Sequence, residues 1–375
     1  MGRPASRPLN ALGSAMRSAA PASRPQEFDE HRRSPMRTVK ALLAGDHFVR
    51  NEALATALSG LPDVAFDFRA VTLPWPLTPY GRVAEVDEAS DAEDQLIEAL
   101  PGVEIAVTQM GPFTERVLEA APDLRFLVCC RGGPVNVNVP AATKRGITVA
   151  STPGRNAIAA AEHAVALMMG ALRKLPQLQR TLEQGEWRSD LYAYDECGSE
   201  LDGATVGLIG YGAIGSRVAR VMLAFGARVL VVDPAIDPRS LPVGAEVVEL
   251  DDLLRRSDVV SLHARLTEDT RGMIGADQLA RMRQGAVLVN TARGGLLDYE
   301  ATIDALESGR LGAAAFDVFE SEPVPKDSRL LTAPNVVMTP HLAGATRQTA
   351  HRAASIAAEA VAAYLTGREP AGIQR

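Results

Sequence analysis

Cysteine is scarce in this chain of 375 residues: only Cys129, Cys130 and Cys197 occur, an odd number with two of them adjacent. That arithmetic excludes a disulfide framework and leads us to expect a reducing compartment, the cytoplasm. Clean apolar runs are missing as well. The best one, Ala157 to Leu175, carries Glu162 and His163 inside it, which would be costly in lipid. It reads as a buried helix, and a membrane is not an expected partner. Positive charge is not concentrated either. The net charge is −7 and the Lys and Arg residues are scattered, so no basic stripe follows a phosphate backbone and nucleic acid is not expected to bind. No internal repeat is present and no metal site is expected.

Residues 1–36 are rich in Ala, Arg, Pro and Ser and have no hydrophobic periodicity, so a disordered extension is expected. The first 26 residues hold Arg3, Arg7, Arg17 and Arg24 without an acid, as mitochondrial presequences do, but Pro4, Pro8, Pro21 and Pro25 oppose an amphipathic helix. A start at Met36 is an equal alternative. From Val39 onward short apolar runs alternate with helical segments: strands at 39–44, 64–68, 103–108, 125–130 and 147–150, with helices between them. This pattern predicts α/β architecture with a parallel sheet. A rigid surface loop is expected from Thr72 to Arg82, and a long helix from Asn156 to Leu175. A second alternation runs from Val206 to Pro340, giving two doubly wound units, and a last helix at 347–366 has room to pack back on the first.

The second unit opens with the apolar strand Thr205 to Ile209. It leads directly into Gly210-Tyr211-Gly212-Ala213-Ile214-Gly215, which starts a helical pattern. Gly210 permits a tight turn, Gly212 lets backbone amides approach a pyrophosphate at the positive helix end, and Gly215 lets helix and strand pack closely. Six such residues are weak evidence by themselves. The next strand, Arg228 to Val232, ends at Asp233 before Pro234, where a carboxylate can accept from both hydroxyls of an adenosine ribose. Together they predict a dinucleotide site. The same acid repels a 2′-phosphate, so NAD is favoured over NADP, with Arg239 nearby weakening that preference. A solvated turn acid is the bland alternative for Asp233.

Three later strand ends are polar in ways that a folded sheet does not require. Arg293 follows the strand ending at Val289-Asn290, with Thr291 and Ala292 between, and offers a bidentate fork to a carboxylate. A strand over 313–319 ends near Glu320 and Glu322, and one over 335–339 ends at Pro340-His341, so a carboxylate and an imidazole can meet there. Singly these residues can be a surface salt bridge, a capping acid and a loop histidine. Jointly they read as a site.

Six stretches in order resemble the D-2-hydroxyacid dehydrogenase family: Thr152-Pro153-Gly154-Arg155-Asn156 with Ala161-Glu162-His163, the glycine turn, Ser261-Leu262-His263, Thr291 to Gly295, Asp317-Val318-Phe319 with Glu322-Pro323, and Pro340 to Gly344. The likeness covers nearly everything from Val39 onward. It implies a Rossmann NAD-binding domain over 155–342 and a flavodoxin-like substrate domain over 37–154 and 343–375. It makes Arg293, Glu322 and His341 the catalytic trio, leaving Glu320 as a surface acid. His263, Thr291, Ala292, Asp317 and Gly344 join the glycine turn and Asp233-Pro234 around NAD. His341 would take the proton of a 2-hydroxyl as hydride leaves C2, Glu322 would fix its tautomer and raise its pKa, and Arg293 would hold the carboxylate. The implied partner is a small 2-hydroxy or 2-keto acid, and a homodimer is implied by the resemblance only.

The substrate loop departs from the family. Arg131, Gly132 and Gly133 stand where backbone amides hold the carboxylate; Arg131 can either pair locally or reach an extra anionic or polyhydroxy group. Asn138 replaces a usual aspartate, and Arg265 a usual proline. The lack of a C-terminal extension opposes a serine-regulated phosphoglycerate dehydrogenase, and Glu322 opposes a formate dehydrogenase, which has glutamine there. Trp187, Tyr192 and Tyr194 are expected either to cap the cleft or to pack, and the remaining histidines are given structural roles. Two further readings remain at this point: an NAD-sensing corepressor-like binding protein, and an NADPH-preferring glyoxylate or hydroxypyruvate reductase.

Overall fold

The computed structural model describes residues 37–75 and 81–374. The expected disordered extension and the centre of the loop between Thr72 and Arg82 lie outside the described residues.

Short aliphatic runs form the strands of a first sheet: β1 (Thr38–Gly45), β2 (Ala65–Thr72), β3 (Ile105–Thr108), β4 (Phe126–Cys129) and β5 (Thr148–Ser151). Helices α1 (Asn51–Ser59), α2 (Glu93–Ala99), α3 (Glu115–Glu119) and α4 (Val139–Lys144) alternate with them. The five strands are parallel in the order β2-β1-β3-β4-β5, which is the flavodoxin-like order, with its switch point between β1 and β3. In β4 every position is apolar because both faces are covered. Leu127 and Cys129 enter one core while Phe126 and Val128 enter the other. β2 outruns its expected end at residue 68, since it pairs with β1 over its whole length to Thr72.

Two helices, α5 (Ala157–Leu172) and α6 (Leu175–Glu183), lead to a second sheet of β6 (Thr205–Ile209), β7 (Arg228–Val232), β8 (Ala245–Val247), β9 (Val259–Leu262), β10 (Ala286–Asn290), β11 (Leu311–Phe316) and β12 (Val336–Met338). Between these strands run α7 (Gly215–Ala224), α8 (Leu250–Arg256), α9 (Ala276–Arg281) and α10 (Tyr299–Glu307). All seven strands are parallel, in the order β8-β7-β6-β9-β10-β11-β12, the Rossmann order with one strand added at the β12 edge. The expected buried helix is α5. Its Leu167, Met168 and Ala171 pack with Val206, Leu208 and Val231 of the second sheet, which explains why it is apolar with little regard to face.

The last helix, α11 (Arg347–Leu365), returns to the first sheet as expected. Its alanines Ala353, Ala354, Ala357 and Ala358 meet Ala41, Leu43, Phe126 and Val128, and small side chains let the helix sit close to β1 and β4. The rings of Phe126 and Tyr364 stack with centroids 4.4 Å apart. Beyond it, β13 (Ile373–Gln374) pairs with β5 antiparallel, which an all-parallel expectation did not include. Two residues carry no periodicity from which a strand can be read.

Candidate active site

At the switch point of the second sheet the chain leaves β6 through Gly210, whose φ is 99°. A Cβ there would sit 2.6 Å from the backbone of His263 and Ala264 just past β9, so only glycine fits. Gly215 is equally constrained, because a Cβ on it would lie 2.1 Å from the Gly210 carbonyl oxygen. Gly212 differs: nothing lies within 4 Å of a Cβ placed there. Packing does not require that glycine. What its missing side chain preserves is the open space before the amino terminus of α7, where Ala213 and Ile214 complete the turn and where an anion is favoured. Asp233 ties the turn down, accepting from the Tyr211 amide at 2.7 Å and from Ala235 at 2.9 Å. Each carboxylate oxygen keeps a further acceptor site, and Pro234 beside it is exposed. Arg239 is held by Asp237 at 3.0 Å in the following loop. At the end of β10 the Thr291 hydroxyl is buried without a hydrogen-bond partner, while the Ala292 amide donates to Asn290 Oδ1 at 3.1 Å. The open space at Gly212, the spare acceptors of Asp233 and this orphaned hydroxyl fit a dinucleotide.

Arg293, Glu322 and His341 leave the carboxyl ends of β10, β11 and β12, three adjacent strands. His341 Nδ1 lies 2.7 Å from Glu322 Oε2. An ionised glutamate can only accept, so Nδ1 carries the proton and Nε2 presents its lone pair, with no hydrogen-bond partner among the described residues. The hydrogen bond to Glu322 raises the His341 pKa above the ordinary imidazole value, against the opposing pull of burial and of the Arg293 charge. Burial would by itself raise the Glu322 carboxyl; the hydrogen bond and charge of His341, with the Phe319 amide donating at 3.0 Å, outweigh it and hold that carboxyl low. Arg293 is exposed, its guanidinium donating to its own neighbour's Ala292 carbonyl at 2.7 Å. The loop after it runs so near the glutamate loop that a Cβ on Gly294 would overlap the Phe319 carbonyl.

A buried acid supports the histidine from beneath. β11 stops at Phe316 and not at the expected 319, since Asp317 turns inward and is fully buried. Its carboxylate accepts from Thr339 Oγ1 at 2.6 Å and from the amides of Leu342 and Ala343, both at 2.8 Å. His163 on α5 bonds Thr339 Oγ1 at 2.8 Å, completing a relay from helix to loop. Although burial pushes the Asp317 carboxyl up, these donors together hold it below its ordinary value. The His163–Thr339–Asp317 relay therefore fixes the backbone on which His341 sits at φ 54°. The sequence by itself gives His163 only a helical structural role and does not single out Thr339. The one available signal was Thr339 standing two residues before His341. His263 follows β9 and bonds Ser261 Oγ at 3.0 Å, with burial pushing its pKa down to about 4, so it is neutral and its role is not proton exchange. Gly344 lies against the Asn156 side chain.

On the first sheet, Arg131, Gly132 and Gly133 follow β4. The Arg131 guanidinium pairs with the Glu88 carboxylate and donates to the Glu88 carbonyl at 3.3 Å, so of its two expected roles the structure shows the local pairing. Gly132 and Gly133 are exposed with open space around them. Asn138 caps α4 by accepting from Ala141 at 3.0 Å, which an aspartate would do equally well. Asn136 is buried and donates to the carbonyls of Gln109 and Gly111, fastening the loop to the end of β3. Trp187, Tyr192 and Tyr194 are 86%, 94% and 91% exposed, which contradicts both the capping and the packing expected of them in one chain. No helix among the described residues is long and apolar enough to cross a membrane.

Comparison with known proteins agrees with this geometry. Residues 165–343 match the family D-isomer specific 2-hydroxyacid dehydrogenase, NAD binding domain. The glyoxylate reductase of Korarchaeum cryptofilum is 40% identical over 286 residues, covering 76% of this chain and 86% of that one. The D-3-phosphoglycerate dehydrogenase of Archaeoglobus fulgidus is 39% identical over 270 residues, 72% of this chain, but the chain spans only 50% of that relative's length. The D-isomer specific 2-hydroxyacid dehydrogenase of Lactobacillus delbrueckii, solved in its NAD-complexed form, superposes with a TM-score of 0.72 at 26% identity, covering 90% of this chain and 100% of the other. With its Rossmann-ordered sheet, its glycine turn and its strand-end arginine, glutamate and histidine, the chain belongs to the D-isomer specific 2-hydroxyacid dehydrogenase family.

Proposed function

We propose that this protein is an NAD-dependent oxidoreductase that moves hydride between nicotinamide and C2 of a D-2-hydroxy acid or its 2-keto acid. The observation that carries the reading is the His341–Glu322 pair at 2.7 Å, with Nε2 open and Arg293 close enough to act on the imidazole charge. Bound NAD supplies the hydride acceptor. The chain does the rest. His341 Nε2 accepts the proton of the 2-hydroxyl in oxidation and returns it to the carbonyl oxygen in reduction. Glu322 holds the imidazole in the tautomer that leaves Nε2 able to accept, and stabilises the cation that forms. Arg293 binds the substrate carboxylate and polarises the C2 oxygen, with the Gly132 and Gly133 amides at the other end of the cleft. The cofactor would lie on Gly210 to Gly215, Asp233-Pro234, His263, Thr291-Ala292 and Gly344; Asp317, expected among them, is fully buried beneath the His341 loop and acts instead as its support. Residues 155–342 serve as the NAD domain, while 37–154 and 343–375 bind substrate.

Asp233, with Arg239 drawn away by Asp237, supports NAD over NADP. Two buried reduced thiols, Cys129 and Cys130, support a cytoplasmic location. A homodimer is supported by the arm after α5. α6 buries none of its residues, and Leu182, Trp187, Tyr192 and Tyr194 stand exposed in one chain, an apolar surface suited to a second copy. The test is reduction of a panel of 2-keto acids with NADH and NADPH at equal concentration, for the natural chain and His341→Ala. We expect turnover with NADH preferred, and a loss on the order of 100-fold or more in the variant with NADH binding retained. Undiminished turnover in His341→Ala would remove the assigned base, and NADH binding without reduction of any keto acid would overturn the dehydrogenase.

A further inference from the structure

The second sheet carries a cavity of about 540 Å³ at the edge opposite the candidate active site, where β6, β7 and β8 begin. Four arginines line it: Arg228 at the first position of β7, Arg255 and Arg256 in the last turn of α8, and Arg283 in the turn before β10. Glu246 is the one acid among the lining residues. In a chain of net charge −7, four guanidiniums around one hollow require a cause. Folding accounts in part for three of them. The carboxyl end of a helix favours cations, Arg255 pairs with Asp251 one turn back, Arg256 pairs with Asp252 at 2.6 Å and Glu246 at 2.9 Å, and Arg283 pairs with Asp258 at 2.6 Å. Arg228 is different. Its side chain is exposed to the cavity, and its guanidinium makes no hydrogen bond or ion pair among the described residues.

The acids position the paired arginines without using up their donors. A guanidinium has five N–H groups, and Arg255 and Arg283 each meet their acid through a single nitrogen. Their side chains are 62% and 52% exposed, so the remaining donors are open to a ligand and the existing pairs contribute little that a ligand must replace. We infer that this cavity is a binding site for the phosphate ester of a small molecule, held by Arg228, Arg255 and Arg283. A monocarboxylate brings one charge and two oxygens, no more than Asp251 and Asp258 already offer these arginines. A phosphate ester brings nearly two charges and three acceptor oxygens, so it bridges guanidiniums that the acids hold singly. The cavity falls within the range of about 300 to 1,000 Å³ typical of small-molecule sites, leaving room for the organic part of the ester, whose hydroxyls Glu246 can accept. The site is separate from the glycine turn. β6 runs from Thr205 at the cavity to Ile209 before Gly210, roughly 16 Å of extended chain, so an ester here and a dinucleotide at Gly212 do not compete. The inference does not depend on the dehydrogenase reading.

The test is calorimetric titration of glucose 6-phosphate, inorganic phosphate, glucose and citrate into the full chain at low ionic strength, with and without saturating NADH. Glucose 6-phosphate is expected to bind once per chain whether or not NADH is present, inorganic phosphate more weakly, and glucose not at all. Arg228→Met should weaken glucose 6-phosphate by on the order of tenfold or more. Its Tm should stay that of the natural chain, because the guanidinium it removes has no partner to lose. Arg283→Met should weaken the same ligand, which keeps the site testable through a second residue on a different element. An absence of saturable binding by glucose 6-phosphate, or binding that both variants leave intact, would overturn the site. Binding abolished by NADH would put the ester in the glycine turn and overturn it equally. Citrate bound as tightly as glucose 6-phosphate would overturn the assignment to phosphate.

Discussion

The pair proposed to handle the proton is held by other residues. Glu322 sets the charge state of His341, while Asp317, Thr339 and His163 set where its backbone runs. Reduction needs the protonated imidazole, so its rate is present below the His341 pKa and is lost as pH rises through it. Because that pKa is raised, the descending limb should lie above the 6.5 of an ordinary histidine. Glu322→Gln removes the carboxylate that raises it, so the limb of kcat/KM against pH should move to lower pH, with kcat reduced. A limb left in place in the variant would show that Glu322 does not act through His341. The trio is legible in the sequence because each member ends an apolar strand with a polar residue that packing does not require. The Asp317 relay is not legible, since a strand-end acid looks the same whether it faces the cleft or turns inward beneath the next loop.

Elements meet at the glycine turn, where three glycines within a six-residue span serve two different ends. Gly210 and Gly215 answer to the protein, one to the backbone of His263 and Ala264 and the other to the Gly210 carbonyl. Gly212 answers to what lies outside. Gly212→Ala should therefore fold with Tm nearly unchanged and bind NADH more weakly, by on the order of tenfold, whereas Gly215→Ala should lose stability by roughly 1–3 kcal/mol through overpacking. Thermal melts and NADH fluorescence titration check both, and a Gly212→Ala variant that binds as well as the natural chain would refute the assigned pyrophosphate position. That strands and helices exist along the chain follows from runs such as Phe126 to Cys129, apolar at every position because both faces are covered. Where they end does not follow, because β2 and β11 stop where their neighbours' hydrogen-bonding partners stop or where a side chain is drawn elsewhere.

For the whole molecule, the exposed arm of α6 and the residues after it is the surface that the second chain of the proposed homodimer would cover. Sedimentation equilibrium at micromolar concentration should give the mass of two chains, and Leu182→Glu with Trp187→Glu should give that of one; a natural chain already sedimenting at single-chain mass would refute the dimer. Burying that arm against a partner would contribute roughly 25 cal/mol for each Å² of apolar surface removed from water, less the cost of association. Two parallel-sheet units, their order along the chain and the strand-end arginine, glutamate and histidine proposed to act on substrate were determined by the sequence alone, because apolar periodicity and glycine spacing are local properties that a linear string records. Which acids turn inward, that Arg131 is paired with Glu88, that β13 closes the first sheet and that Trp187, Tyr192 and Tyr194 find no packing in one chain were decided only by the tertiary structure. Partnership and burial depend on groups distant in sequence, and they exist only once the chain has brought those groups together.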